Sequence, residues 1–229
     1  MKSLSIIIPI YNEAENIFSL ISEIEIILKD NFNYEIIIID DGSSDKTQEM
    51  FKKNTYDSNL SIYLNKSNLG QSYSINKGIK LSKFDNIVTL DGDGQNPPKD
   101  ILKIAKIFFS NKYELVGGLR LKRKDSIVKK LSSKIANSIR SFILQDKCLD
   151  TGCSLKIFDK KFFLKLPYFD GMHRFLPALF LNYGAKTFYI EVDHRPRTKG
   201  KSKYGTFDRL IRGIKDLIKV IYLINRARK

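Results

Sequence analysis

The 229-residue sequence has no tryptophan, two histidines and two cysteines. Each shortage removes a class of chemistry. Cys148 and Cys153 build no disulfide framework and form no CxxC pair for zinc, so they read as reduced thiols of a cytosolic chain. No stretch approaches the ~18 consecutive apolar residues of a membrane-spanning helix. The opening Met1-Lys2-Ser3-Leu4 runs straight into Ile6-Ile7-Ile8-Pro9, too short an apolar run for a signal-peptide core and without a small-residue cleavage site. A cytoplasmic start is expected. Neither GxGxxG nor GxxxxGK[ST] occurs, which argues against a dinucleotide fingerprint and a P-loop.

What remains fits one α/β domain. Apolar residues make up 42% and aromatics 11%, enough for a packed core. The net charge of +15 is unevenly spread. Residues 1–100 carry 10 lysines and arginines against 15 acidic residues, whereas residues 101–229 carry 30 against 10. One face should therefore meet something polyanionic. A nucleic-acid reader would interleave its cations with base-stacking aromatics, but here the basic segments flank a candidate anion site, so no nucleic-acid partner is expected.

In the first half, short β-branched runs alternate with helical patterns. Strands are predicted over Leu4–Ile8 (closed by Pro9), Tyr34–Ile39, Leu60–Leu64, Asn86–Leu90 and Leu115–Gly118. Helices are expected over Ala14–Leu28, from the Asp45 cap through Lys53, over Gln71–Leu81, and from Pro97-Pro98 through Phe109. Such repetition gives a mostly parallel sheet covered by helices on both faces, with ligands beyond the strands' carboxyl ends. Three polar clusters fall there: Tyr11-Asn12-Glu13, Asp40-Asp41 and Asp91-Gly92-Asp93.

The second half is less regular. A basic helix is expected over Asp125–Ile143, a strand from Leu155 to Phe158, and short helices over Lys160–Leu166 and Arg174–Asn182. A strand over Lys186–Val192 and a basic, glycine-containing loop over residues 194–205 follow, with the composition of a mobile gate. The chain ends in a basic amphipathic helix, Thr206–Arg228, whose apolar positions 207, 210, 211, 214, 217, 218, 221 and 224 form one stripe. Residues 1–205 read as the main domain and 206–229 as this helix, suited to an anionic membrane surface.

Asp91-Gly92-Asp93-Gly94-Gln95 carries the most chemistry. Two carboxylates at i and i+2, separated by glycine after a buried strand, can converge on one hard cation such as Mg²⁺ or Mn²⁺. A plain Asp-Gly turn is the alternative. An EF-hand does not fit, because Asn96 holds its sixth position and Leu102 its twelfth.

Taken together, Ile8-Pro9-Ile10-Tyr11-Asn12-Glu13, Ile39-Asp40-Asp41-Gly42-Ser43-Ser44-Asp45 and the aspartate motif resemble the nucleotide-diphospho-sugar site of family 2 glycosyltransferases, which have the GT-A fold. Gly117-Gly118-Leu119-Arg120, His194-Arg195 and Ser202-Lys203-Tyr204-Gly205 are similar to its polyprenol-phosphate branch, that of dolichol-phosphate mannosyltransferases and undecaprenyl-phosphate sugar transferases. The resemblance runs to about residue 220. Many relatives continue into transmembrane helices, whereas this chain stops at Lys229, so a partner membrane protein could supply the anchor.

That resemblance implies an inverting transfer of sugar from a UDP- or GDP-linked donor to a polyprenyl phosphate, at the cytoplasmic face of the membrane. It implies that Pro9, Tyr11 and Glu13 wall the base and ribose, and that Asp41 contacts the base. Asp91, Asp93 and Gln95 match metal and diphosphate positions, with Asp91 and Asp93 catalytic. Arg120, Arg197 and Lys203, with Lys129 and Ser133 on weaker correspondence, match positions around the acceptor phosphate. Asp40 reads equally as a cap, and packing is the lesser reading of Tyr11. Gly171–Pro177 resembles a segment of bacterial members of the branch, where His173 could contact substrate or cap the helix that starts there, the cap being the preferred reading. A family 2 enzyme acting on a sugar hydroxyl is the alternative, but it would need a general base that the sequence does not place, and the QxxRW-like element of processive synthases needs a tryptophan.

Overall fold

The computed structural model describes residues 1–53, 56–121, 138–196 and 206–227, the last stretch by backbone alone as far as residue 212. Among them, strands β1 (Ser3–Ile10), β2 (Asn33–Asp40), β3 (Leu60–Leu64), β4 (Asn86–Thr89), β5 (Leu115–Leu119), β6 (Lys156–Asp159) and β7 (Thr187–Glu191) form one sheet in the order β3-β2-β1-β4-β6-β5-β7. The helices are α1 (Ile17–Leu28), α2 (Thr47–Lys53), α3 (Gln71–Leu81), α4 (Asp100–Asn111), α5 (described over 138–144), α6 (Lys160–Phe163), α7 (Leu176–Asn182) and α8 (Thr206–Ala227).

The isoleucine-rich strands explain the layering. Successive side chains point to opposite faces. Leu4, Ile6, Ile8, Ile36 and Ile38 pack with α1 and α4, while Ile7, Ile37 and Ile39 pack with α3, α7 and α8. Both faces are covered, as a parallel sheet requires. β1 and β2 pair in register from Ser3 opposite Asn33 to Ile10 opposite Asp40, so their polar sequels emerge side by side. Pro9, expected to close β1, lies within it, beyond the last β4 partner at Ile7, where its missing N–H costs the β1–β4 ladder nothing.

β6 is antiparallel to both its neighbours. Its amino end therefore lies at the edge where β1, β2, β4 and β5 end, and brings residues 150–156 to the site.

Helix starts differ from the sequence expectation for local reasons. Asn16 and Ile17 donate backbone N–H groups to the Glu13 carbonyl, so a turn precedes α1. Pro97 and Pro98 likewise precede α4 rather than open it, their carbonyls accepting from Asp100 and Ile101. The expected helix Arg174–Asn182 is divided into a 3₁₀ turn, Met172–Arg174, and α7. Of the helix expected over Asp125–Ile143, only 138–144 lies within the described residues.

Helix α8 packs Val220 and Ile224, both under 5% exposed, into the core beside α3 and α7. The apolar run 220–224 therefore has one firmly buried side. The outward stripe of α8 is Ile214, Ile218 and Tyr222, 52%, 64% and 63% exposed.

Candidate active site

The loops after β1 and β2 are bound to each other. Asn12, in the left-handed region at φ 55°, accepts at Oδ1 from the N–H of Ser44 (2.7 Å), and its own N–H donates to Ser43 Oγ (2.8 Å). Asparagine tolerates that backbone conformation. Glu13 is buried, with its carboxylate accepting from Asn16 Nδ2 at 2.8 Å, and its N–H reaches Thr47 Oγ1 at 3.2 Å. Asp45 accepts from Thr47 N–H at 2.9 Å and so starts α2.

Asp41 turns toward a third loop. Its carboxylate accepts from Asn65 Nδ2 (2.8 Å), Leu69 N–H (3.0 Å) and Gly70 N–H (2.8 Å). These bonds position residues 65–70, of which Asn68, Leu69 and Gly70 line the cavity described below. Asp40 caps its own turn through Ser43 N–H at 2.9 Å. Its Oδ2 is buried and has no partner among the described residues.

At the end of β4, Gly92 is fixed by packing. A Cβ there would lie 2.5 Å from Ile10 Cγ2, so only glycine lets the two aspartates follow the strand so tightly. Asp91 accepts from Gln71 Nε2 at 2.8 Å, and its N–H donates to Ser154 Oγ at 3.1 Å. Asp93 accepts from Gln95 N–H at 3.1 Å. Burial, and then the negative charge of Asp93, push the Asp91 carboxyl up to about 6, against the pull of Arg120, Ser154 and Lys156. Local cations thus leave the repulsion between the two carboxylates partly unanswered.

A divalent cation fits that donor set. Two hard carboxylate oxygens repelling each other at a strand end are what Mg²⁺ or Mn²⁺ takes, with phosphate and water supplying the rest. No cluster of three or more His, Cys, Asp or Glu occurs among the described residues, so a complete protein cage is not what this site offers. Gln95 stands nearby in sequence, but its side-chain Nε2 donates to the Arg195 carbonyl at 3.3 Å, and its own carbonyl accepts from Arg195 N–H at 2.8 Å. It joins the aspartate loop to the segment after β7.

Arg120, at the end of β5, forms a two-pronged pair with Asp150, Nε to Oδ2 at 2.8 Å and Nη2 to Oδ1 at 2.9 Å. Lys156, at the amino end of β6, is 4% exposed and donates Nζ to the Cys153 carbonyl. A buried lysine is rare without an ionic role.

A cavity of about 680 Å³ opens beside Asp91. Pro9, Gln71, Ser154, Lys156, His173 and Asp216 are among its walls. Of the residues singled out from sequence, only Pro9, Asp91 and His173 line it; Tyr11, Glu13, Asp41, Asp93, Gln95 and Arg120 lie along the same sheet edge outside the lining. Lys129, Ser133, Arg197 and Lys203 lie outside the described residues, as does much of the loop 194–205. Sequence reading missed Gln71, Asp150, Ser154, Lys156, Arg174 and Asp216. A buried lysine in an otherwise apolar strand, Lys156 between Leu155 and Ile157, was the one signal available.

The model of a family described as Glycosyl transferase family 2 matches residues 5–167. The undecaprenyl-phosphate 4-deoxy-4-formamido-L-arabinose transferase of Pectobacterium carotovorum is 32% identical over 222 residues, 95% of this chain and 67% of that protein. The protein of the same name from Yersinia pestis is 34% identical over 221 residues, with the same shares. This chain spans about two thirds of their length. Among solved structures, glucosyl-3-phosphoglycerate synthase from Mycobacterium tuberculosis with Mn²⁺, UDP and glucosyl-3-phosphoglycerate gives a TM-score of 0.67 at 16% identity, over 96% of this chain and 78% of that one. Its complex with Mg²⁺ and UDP gives 0.64 at 15% identity, with the same shares. At those identities the likeness is one of fold, and the fold is GT-A.

Proposed function

The chain belongs to glycosyl transferase family 2, and from that membership we propose that it moves a sugar from a nucleoside-diphosphate sugar to the phosphate of a polyprenyl phosphate of the undecaprenyl class. The observation that carries the reading is the cavity beside Asp91, which sets a buried cation, Lys156, next to the aspartate pair and whose histidine is no general base. His173 lines it, but burial and the charges of Arg174 and Lys156 push its imidazole down to about 3, so it takes no proton at neutral pH. A phosphate monoester needs none, being ionised already.

The reaction then needs little beyond alignment and charge. An acceptor phosphate oxygen attacks the anomeric carbon, the bond from that carbon to the diphosphate breaks, and the nucleoside diphosphate leaves with the electron pair. Asp91 and Asp93 would hold Mg²⁺ or Mn²⁺, which when bound neutralises diphosphate charge. Gln71 and Ser154 orient Asp91. Lys156 and Arg120 supply the positive potential that an anionic acceptor requires. Protein incubated with Mn²⁺, labelled UDP- and GDP-sugars and undecaprenyl phosphate should move label into the organic phase. Transfer only to a saccharide hydroxyl would overturn the reading in favour of a polysaccharide-building enzyme.

The acceptor's lipid tail places the reaction at a bilayer, and α8 suits a peripheral position on the inner face. No described helix is long and apolar enough to cross a membrane. Ile214, Ile218 and Tyr222, four residues apart, form an outward stripe flanked by Lys215 and Lys219. Each basic residue near an anionic surface contributes ~1 kcal/mol. The 229-residue chain should therefore sediment with phosphatidylglycerol-rich vesicles at low salt. The triple change Ile214→Ser, Ile218→Ser, Tyr222→Ser should weaken this about tenfold or more, given ~0.8 kcal/mol per inserted methylene. Equal sedimentation of the two would remove α8 from membrane attachment. Truncating α8 is the poorer test, because it strips Val220 and Ile224 from the core.

A further inference from the structure

The segment Gly171–Pro177 has no part in the reaction as described, and His173 within it is not a cap. The side chain crosses to α3, where Nδ1 meets Ser72 Oγ at 2.6 Å. The direction of that bond follows from the other partners of Ser72. Its hydroxyl oxygen accepts from the backbone N–H of Gly171 (3.0 Å) and of His173 (3.4 Å), which occupy both lone pairs. The hydroxyl proton must then go to Nδ1. His173 is thereby fixed as the tautomer that carries its proton on Nε2.

We propose that this Nε2–H reads the transferred sugar, donating to one of its neutral oxygens inside the cavity beside Asp91. The inference rests on the nucleotide-sugar reading above. His173 lines the cavity, and Nε2 has no protein partner among the described residues yet is not sealed from solvent. The support behind it is rigid. Gly171 sits at φ 92°, where a Cβ would collide with the Asp216 carboxylate, and Asp216 is itself paired with Arg174. Ser72 is 1% exposed on the first turn of α3, directly after Gln71, the residue that orients Asp91. One turn of helix thus sets both the aspartate and the histidine.

The walls offer a sugar partners as well as a phosphate: Asp91, Asp170 and Asp216 line the same cavity as Lys156 and Arg174, and carboxylates accept from hydroxyls. A neutral N–H suits a hydroxyl or carbonyl oxygen of the sugar, and the imidazole is held in its neutral form. His173 is therefore a specificity-determining contact, distinct from the cations that meet the acceptor.

The test is binding, with no acceptor present. Affinities of UDP, GDP and a fixed panel of UDP- and GDP-linked hexoses and pentoses are measured calorimetrically with Mn²⁺ for wild type, His173→Phe, His173→Gln and Ser72→Ala. Wild type should prefer one sugar nucleotide over its free nucleotide. His173→Phe should reduce that preference about tenfold with the free nucleotide bound as before. His173→Gln, which keeps an N–H near the position of Nε2, should recover most of it, and Ser72→Ala should fall between. An unchanged preference in His173→Phe, or equal losses for free nucleotide and sugar nucleotide, would overturn the inference. A wild type that binds no sugar nucleotide at all would instead overturn the functional reading beneath it.

Discussion

Asp93→Ala protein should melt within a few degrees of wild type and lose sugar transfer by about 10³-fold or more. The two halves of that expectation come from different neighbours. In the fold, Asp93 accepts a bond within its own loop from Gln95 N–H, worth ~1 kcal/mol. In the proposed reaction it would be half of the donor pair for the cation that balances the leaving diphosphate. Wild type stripped with chelator should be equally inactive and should recover with added Mn²⁺ or Mg²⁺. Asp91→Asn should separate the two effects further. Burial and Asp93 raise the Asp91 pKa to about 6, above its ordinary 3.8, so the ionised carboxylate disfavours the folded state at neutral pH. The neutral amide removes that penalty, keeps an oxygen for Gln71, and should leave the melting temperature unchanged or higher, by up to ~3 kcal/mol of stability. Transfer should still be lost. Activity persisting in either variant would take the aspartate motif out of the mechanism.

How much of this was legible in the sequence depends on how local each cause is. Short β-branched runs of strand length bounded by Asp, Asn and Gly declare β1, β2 and β4, and the same boundaries deliver Asn12, Asp41 and Asp91 to one sheet edge. The direction of β6 is not local. It follows from how the chain returns through residues 145–155, and with it comes Lys156, whose side chain faces a cavity rather than solvent. The Ser72–His173 pair spans 101 positions, and nothing near either residue announces the other. Asp41 shows the opposite difficulty. Its motif marks it as a ligand contact, but three of its hydrogen bonds go to residues 65–70, a loop whose sequence carries no sign of needing an acceptor. Helix α8 announces an apolar stripe by its period, yet periodicity cannot say that 220 and 224 face inward while 214, 218 and 222 face out.

Arg120 should prove both structural and functional, and a double change can separate the two roles. Its guanidinium and the Asp150 carboxylate have side chains only 10% and 9% exposed and share two parallel bonds. Removing one partner leaves the other charge buried alone, so Arg120→Ala should destabilise the fold by ~3–5 kcal/mol, and Asp150→Ala by a similar amount. Lysine cannot reproduce the fork, and Arg120→Lys should recover only part of the loss. The double variant Arg120→Ala, Asp150→Ala removes both charges together and should regain most of the stability, since a buried pair contributes little net. What it cannot regain is a cation for the acceptor. If Arg120 meets the lipid phosphate, the stable double variant should still show a KM for undecaprenyl phosphate raised about tenfold, the cost of one charge-assisted contact, with donor affinity unchanged. Melting curves and acceptor titrations on the four variants read the two effects independently. A double variant with wild-type acceptor kinetics would make Arg120 a brace for the 150–156 loop alone, and would leave Lys156 as the described cation lining the cavity that is not already paired with a carboxylate.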